Sequence, residues 1–222
     1  GTRYSPLTQI TKENVRHLEV AWTFDTGETG GLQTQPIMAD GVVYANTPGH
    51  RVVALDAATG ALLWKFDSGI TARGPNRGVA YWADGGEARV FASVSSYLYA
   101  LDARSGEVVK DFGQDGRIDM RLGLGRDHAV DSITVGLTSP GVVYRDLLII
   151  GSATPERLPA APGDIRAYDV RTGEIRWTFR TIPAPGEFGA DTWPANARST
   201  SGSANNWAGM TLDRERGLVY VP

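Results

Sequence analysis

Cysteine is absent from the sequence. Its absence excludes disulfide bonds, thiolate metal sites and thiol nucleophiles, but it leaves the compartment open because an exported protein does not require disulfides. Long hydrophobic runs are lacking as well, since none approaches the roughly 18 apolar residues that cross a bilayer. The first residues carry no signal-peptide pattern, so we expect that a targeting segment was removed or never existed.

An excess of charge of one sign is also missing. The formal net charge is -3, and lysine and arginine are scattered along the chain, so nucleic acid is not expected as a partner. The three histidines, His17, His50 and His128, have no metal-ligand spacing. The sequence contains no Gly-x-Ser-x-Gly motif, no phosphate-cradling glycine loop and no Cys-x-x-Cys-His haem attachment motif.

Glycine and proline, by contrast, are plentiful. The 27 glycines and 12 prolines follow no collagen-like period, so they punctuate many short elements with turns. This composition predicts an all-β architecture.

An internal repeat gives the all-β prediction its form. The pattern Ala-x-Asp-x-x-(Thr/Ser)-Gly-x-x-x-(Trp)-x-Phe occurs within residues 52–66, 98–112 and 165–179. Each copy predicts a hairpin in which the Asp side chain bonds the turn backbone and the Gly adopts a positive φ. Another β-rich run precedes each copy, and a further run starts at Gly217.

The repeat spacing predicts a β-propeller. It is close to the roughly 40 to 50 residues of a four-stranded antiparallel blade, with an insertion of about twenty residues in the second interval. We expect residues 1–222 to form one partial propeller domain of about four blades, truncated at the C-terminus. A truncated propeller leaves a blade face without a partner and favours self-association. Residues 20–24 repeat only the last strand of the unit, so we expect them to complete a blade shared with the other terminus.

The repeat resembles the tryptophan docking motif of the pyrroloquinoline quinone (PQQ) dehydrogenases. Residues 1–11, Asn14-Val15 and residues 21–27 are similar to the mature N-terminus of that family, so the resemblance covers essentially the whole chain. The resemblance implies that the chain is about half of an eight-bladed propeller from the bacterial periplasm. Whether the full-length protein is anchored to the inner membrane is left open. By the repeat register, Trp22, Trp64 and Trp177 are predicted to pack between blades.

The same resemblance implies roles for particular residues. Arg77 would pair with a PQQ carboxylate, for which a guanidinium fork is suited, and Trp207 would form the floor beneath the quinone ring. A surface salt bridge remains the alternative for Arg77. Thr138 and Ser139 match a PQQ-contacting site, and Ala153 lies in a turn that approaches the quinone. Gln33 would make a polar contact at the cofactor rim.

Glu156 is the candidate calcium ligand in that turn, because a hard cation prefers carboxylate oxygens. A solvated turn carboxylate remains the alternative, since Pro155 and residues 157–159 depart from the alcohol dehydrogenase pattern. The catalytic base of the family is an Asp that would lie beyond Pro222. Asp56, Asp102 and Asp169 are predicted turn residues, so no catalytic residue is assigned and the fragment alone is expected to be inactive.

The implied reaction is oxidation of a sugar or alcohol hydroxyl by hydride transfer to PQQ, assisted by calcium, with electrons passed to a quinone or a cytochrome. Alcohol-oxidising members carry a vicinal cysteine pair, and its absence favours the sugar dehydrogenase branch, as does the long loop 182–194. A non-catalytic scaffold of the outer-membrane assembly lipoprotein type is the alternative. Such a scaffold would keep the repeats but lose Arg77, Thr138, Ser139 and Trp207.

Overall fold

The protein folds almost entirely into antiparallel sheets, as the composition and the repeat predict. The computed structural model describes residues 7–125 and 132–222, so His128 and the opening residues 1–6 lie outside the described residues. The described helices are short: 3-10 turns at Val15–His17 and Ala190–Thr192, and one α-helical turn, α1, at Ala197–Thr200. No helix in the described ranges is both long and apolar enough to cross a membrane.

Three consecutive sheets each contain four strands in chain order, and a two-stranded sheet follows. The first sheet comprises β1 (Ile37–Ala39), β2 (Val42–Asn46), β3 (Val52–Asp56) and β4 (Leu62–Phe66). The second comprises β5 (Ala80–Asp84), β6 (Glu87–Val94), β7 (Tyr97–Asp102) and β8 (Arg117–Asp119). The third comprises β9 (Val142–Tyr144), β10 (Leu147–Ile150), β11 (Ile165–Asp169) and β12 (Ile175–Phe179), and the last pair is β13 (Thr211–Asp213) with β14 (Leu218–Tyr220). The prediction of four-stranded antiparallel blades is confirmed.

The sheets stack face to face through apolar layers. One layer joins the first and second sheets around Val52 and Val90, and another joins the second and third around Phe91 and Tyr168. A smaller layer places Met210 against the third sheet. The first strands of successive sheets also contact one another, β1 with β5, β5 with β9 and β9 with β13. This radial arrangement around the first strands is the geometry of a propeller.

The repeat turns have the predicted chemistry. The Asp56 carboxylate accepts hydrogen bonds from the Thr59 hydroxyl at 2.7 Å and from the Thr59 backbone N–H at 2.8 Å, and Gly60 follows with a φ of 73°. The same pattern of bonds forms at Asp102. Their assignment as turn residues is therefore confirmed.

Two tryptophans of the repeat join neighbouring units. The Trp22 Nε1–H donates to the Ala57 carbonyl and the Trp64 Nε1–H donates to the Ala103 carbonyl, both at 3.0 Å. A Cβ added to Gly60 or to Gly106 would lie 2.5 Å from the Trp22 or Trp64 ring, so each indole lies directly on a glycine turn. The predicted packing role of these two tryptophans is confirmed.

Other features differ from the simple repeat. Residues 20–24 carry Trp22 but form no sheet strand, so the prediction of a strand there is wrong. The segment is hydrogen-bonded into none of the described sheets and contacts the first sheet through the Trp22 bond to the Ala57 carbonyl. Lys110 occupies the tryptophan position in the second unit, and Gly173 lies instead against Gly113 and Ile118. On β12, Trp177 is 39% and Phe179 63% exposed, so the predicted packing of Trp177 between blades is not seen in the described part of the chain.

Candidate functional site

The segments that lead into the first strands of the sheets meet at one place. The Gln35 backbone N–H donates to the Arg77 carbonyl at 3.2 Å, and the Arg77 backbone N–H donates to the Thr138 carbonyl at 3.0 Å. The Thr138 and Ser139 hydroxyls both donate to the Trp207 carbonyl, at 3.0 and 2.7 Å. The predicted site residues that are brought together here lie in segments that lead into three different sheets: Arg77, Thr138, Ser139 and Trp207.

Arg77 and Trp207 form the centre of this cluster. The Arg77 guanidinium carbon lies 5.0 Å from the centroid of the Trp207 ring, and its Nη1 donates to the Thr138 carbonyl at 3.2 Å. No ion pair joins Arg77 to a carboxylate among the described residues. The described residues therefore do not support the alternative that Arg77 forms a surface salt bridge. Trp207 is 52% exposed and Arg77 is half-buried, so a ligand can reach both side chains.

The backbone at Arg77 is tightly confined. Gly78 has a φ of 126°, and a Cβ added to it would lie 2.7 Å from the Gln35 carbonyl oxygen. Only glycine fits both conditions at this position. Gly78 therefore lets the segments of Gln35 and Arg77 approach each other.

Ala153 lies at the edge of the same cluster. Its backbone N–H and C=O exchange two hydrogen bonds with Gly136, each of 2.8 Å, two residues before Thr138. The neighbouring Ser152 carbonyl accepts a hydrogen bond of 2.7 Å from the Asn205 side chain, close in sequence to Trp207. The turn that carries Ala153 is thus attached to both the Thr138 and the Trp207 segments.

Gln33 lies apart from this cluster. It is exposed and lines a separate groove of about 760 Å³ together with Glu28 and Arg51. Gln35 instead contacts Arg77 and lines a groove of about 250 Å³ beside Ser139 and Met210. Sequence reasoning missed Gln35, although it precedes β1 much as Arg77 precedes β5.

Glu156 is exposed at the end of the Ala153 turn. Within the ranges 7–125 and 132–222, no group of three or more His, Asp or Glu side chains could hold a metal ion. The Ser203 hydroxyl donates to the Pro155 carbonyl at 3.3 Å, which attaches this turn to the segment before Trp207. Glu156 is therefore an exposed carboxylate on a turn that is attached to the segment before Trp207.

Comparison with known proteins assigns the chain to a family. Residues 1–222 match the family model described as PQQ: glucose/ethanol/alcohol dehydrogenase, beta-propeller domain. The chain belongs to this family. The repeat and the sheet topology are thus those of a quinoprotein propeller.

Individual relatives of this quinoprotein chain cover almost all of it. It is 33% identical to the dehydrogenase subunit of a quinone-dependent alcohol dehydrogenase from Gluconobacter oxydans, over 99% of this chain and 30% of the relative. It is 31% identical to quinoprotein glucose dehydrogenase A from Acinetobacter calcoaceticus, over 100% of this chain and 31% of the relative. The solved quinohemoprotein alcohol dehydrogenase ADHIIG from Pseudomonas putida has a TM-score of 0.77 at 30% identity, over 99% of this chain and 32% of that chain.

The chain therefore spans about a third of the length of these relatives. Alcohol and glucose dehydrogenases match at similar identity, so the sugar branch stays a prediction.

Proposed function

We propose that this chain supplies the PQQ-binding part of a quinoprotein dehydrogenase that oxidises a sugar or alcohol hydroxyl and passes electrons to a quinone or a cytochrome. The observation that carries this proposal is the Arg77 guanidinium, which has no carboxylate partner among the described residues and lies over the accessible Trp207 ring. A guanidinium beside an aromatic face suits a flat, anionic ligand. Family membership supports PQQ as that ligand.

The residues of the cluster fit the chemistry of PQQ. Arg77 would bind a carboxylate of the cofactor through its guanidinium fork, and the Trp207 ring would cover one face of the cofactor and exclude water from it. The Thr138 and Ser139 hydroxyls, whose protons now point to the Trp207 carbonyl, would offer lone pairs and donors at the edge of the same face. PQQ supplies, when bound, the carbon centre that accepts the hydride.

The proposal extends to a cation at Glu156. Calcium takes 6–8 oxygen ligands, so Glu156 would give one and the remaining oxygens would come from the cofactor, water and other parts of the enzyme. Ala153, attached to Gly136, would hold this turn against the cofactor edge. Gln33 would act only as an outer polar contact, because no hydrogen bond joins it to the other described site residues.

The wider setting is proposed as well. Residues 1–222 would form one part of a periplasmic propeller, and the indole contacts at Gly60 and Gly106 would serve as its tryptophan docking contacts. The exposed Trp177 and Phe179 side chains on β12 would contact further blades, or a second copy of the chain when those blades are missing. The absence of cysteine supports a sugar rather than an alcohol as substrate.

Titration of the purified protein with PQQ and Ca²⁺, followed by tryptophan fluorescence, tests the proposal. We expect saturable, calcium-dependent quenching that weakens strongly in Arg77→Ala and Trp207→Ala. Trp193→Ala is the matched control, because Trp193 is also partly exposed but lies outside the cluster. A well-folded protein that binds no PQQ would overturn the proposal and favour the scaffold alternative.

A further inference from the structure

Two buried asparagine side chains lie directly behind Arg77. Asn46, at the end of β2, is 2% exposed, and Asn76, the residue before Arg77, is 5% exposed. The Asn46 amide Nδ2 donates to the Asn76 Oδ1 and, at 3.0 Å, to the Gly78 carbonyl. The Gly78 backbone N–H also donates to the Asn76 Oδ1, at 3.3 Å. The two amides therefore hydrogen-bond the backbone of Gly78, and Asn76 itself precedes Arg77, so they fix the chain on both sides of Arg77.

This amide pair connects the Arg77 segment to its neighbours. The Asn76 Nδ2 donates to the Ser93 carbonyl on β6 at 3.0 Å, and the Ser93 hydroxyl donates to the Leu137 carbonyl at 3.2 Å, one residue before Thr138. The Asn46 backbone N–H donates to the Thr34 hydroxyl at 3.1 Å, one residue before Gln35. Through these bonds, the segments of Gln35, Arg77 and Thr138 have a common buried support.

One atom of this network has no partner, because the Asn46 Oδ1 atom is buried without a hydrogen bond, which lowers stability. The other side-chain bonds hold backbone groups: the Asn46 amide bonds the Gly78 carbonyl, and the Asn76 amide bonds the Ser93 carbonyl and the Gly78 N–H. An apolar side chain in place of either amide would remove these bonds. The network therefore fixes the position of the backbone around Arg77.

We propose that Asn46 and Asn76 are positioning residues for Arg77. Both are buried, and their side-chain hydrogen bonds go to each other and to the Gly78 and Ser93 backbone rather than to Trp207. They hold the peptide groups around Arg77 so that its guanidinium remains over the Trp207 ring. The inference rests on the proposed function only for the identity of the ligand, PQQ, whose binding this positioning strengthens.

The first test uses no cofactor. The emission of Trp207 is obtained as a difference between two spectra. For each protein, the spectrum of the same protein carrying Trp207→Phe is subtracted from its own spectrum, so Asn46→Leu is compared with the double variant Asn46→Leu/Trp207→Phe. We expect Asn46→Leu to change this emission in the same direction as Arg77→Ala, because the cation leaves the ring. Tyr168→Phe, which alters a buried hydroxyl without a partner on the third sheet, should leave it unchanged.

Folding of each variant is checked by circular dichroism. If Asn46→Leu does not fold, Asn46→Ser removes the same two donations from a smaller side chain. Unchanged Trp207 emission in either folded variant would overturn the inference.

The second test is a double-mutant cycle on PQQ affinity. We expect Asn46→Leu to weaken PQQ binding in the presence of Ca²⁺ about tenfold when Arg77 is present, and to have no further effect in Arg77→Ala. Equal weakening in both backgrounds would mean that Asn46 supports the fold and does not act through Arg77. If the unmodified protein binds no PQQ, the proposed function fails, while the Trp207 emission still decides the positioning role.

Discussion

The Arg77 guanidinium lies 5.0 Å from the centroid of the Trp207 ring, although the two residues lead into different sheets. Their contact is held by backbone and hydroxyl bonds through Thr138 and Ser139 rather than by an ion pair. No carboxylate among the described residues pairs with this cation. The guanidinium is therefore available to pair with an anionic ligand.

The geometry of the guanidinium should matter as well as its charge. Arg77→Lys keeps the charge but loses the planar fork, so we expect PQQ affinity to fall about tenfold or more. Arg145→Lys is the matched control, because Arg145 lies 5.2 Å from the Tyr144 ring and outside the cluster. Calorimetric titration measures both. Equal affinity for Arg77→Lys and the unmodified protein would contradict bidentate binding.

Close approach of the Gln35 and Arg77 segments should depend on Gly78. Gly78→Ala adds a Cβ that would lie 2.7 Å from the Gln35 carbonyl, so we expect a loss of about 3 kcal/mol in the free energy of unfolding. Gly41→Ala tests the backbone effect alone, since Gly41 also has a positive φ but nothing within 4 Å, and should cost about 1 kcal/mol. Urea denaturation compares them, and similar losses would show that the contact with Gln35 adds no strain.

Stacking of the first two sheets should depend on Trp64. The ring is buried on the Gly106 turn, so Trp64→Ala should lower the free energy of unfolding by about 3–5 kcal/mol. Trp64→Phe keeps a ring but removes the bond to the Ala103 carbonyl, which should cost less. Trp177→Ala, at the same repeat position but 39% exposed, should have the smallest effect. The reverse order in denaturant unfolding would contradict the described packing.

Acid should destabilise the repeat turns. Hydrogen bonds from the Thr59 side chain and backbone lower the pKa of Asp56, and at Asp102 the bonds from Ser105 lower the pKa even though burial opposes them. The native state then binds protons more weakly than the unfolded chain, whose Asp pKa is about 3.9. The stabilisation is complete above that value and is lost as the pH falls below it.

Thermal unfolding between pH 3 and pH 7 checks this expectation. The melting temperature should fall steeply below about pH 4, and Asp102→Asn should reduce that dependence. A melting temperature in Asp102→Asn that falls as steeply as that of the unmodified protein would assign the acid effect to other carboxylates.

The cofactor cluster was predictable only in part. Arg77, Thr138, Ser139 and Trp207 were identified through a family resemblance, and the structure brings these four together. Gln33 was placed at the rim by the same resemblance, but Gln35 is the residue that contacts Arg77. The bond that joins Gln35 to Arg77 is between backbone groups, so no side-chain pattern in the sequence indicates it.

The sequence by itself determined the units of this protein. Asp56, Thr59 and Gly60 specify their turn through bonds between residues at most four positions apart, so the repeat could be recognised without tertiary structure. Only the tertiary structure decided the site, because Arg77 and Trp207 meet only when the first strands of the sheets pack side by side. It also brought together Asn46 and Asn76, whose side chains bond each other although they are 30 positions apart in the chain. Such contacts depend on the packing of whole sheets, which the local chemistry of the turns does not contain.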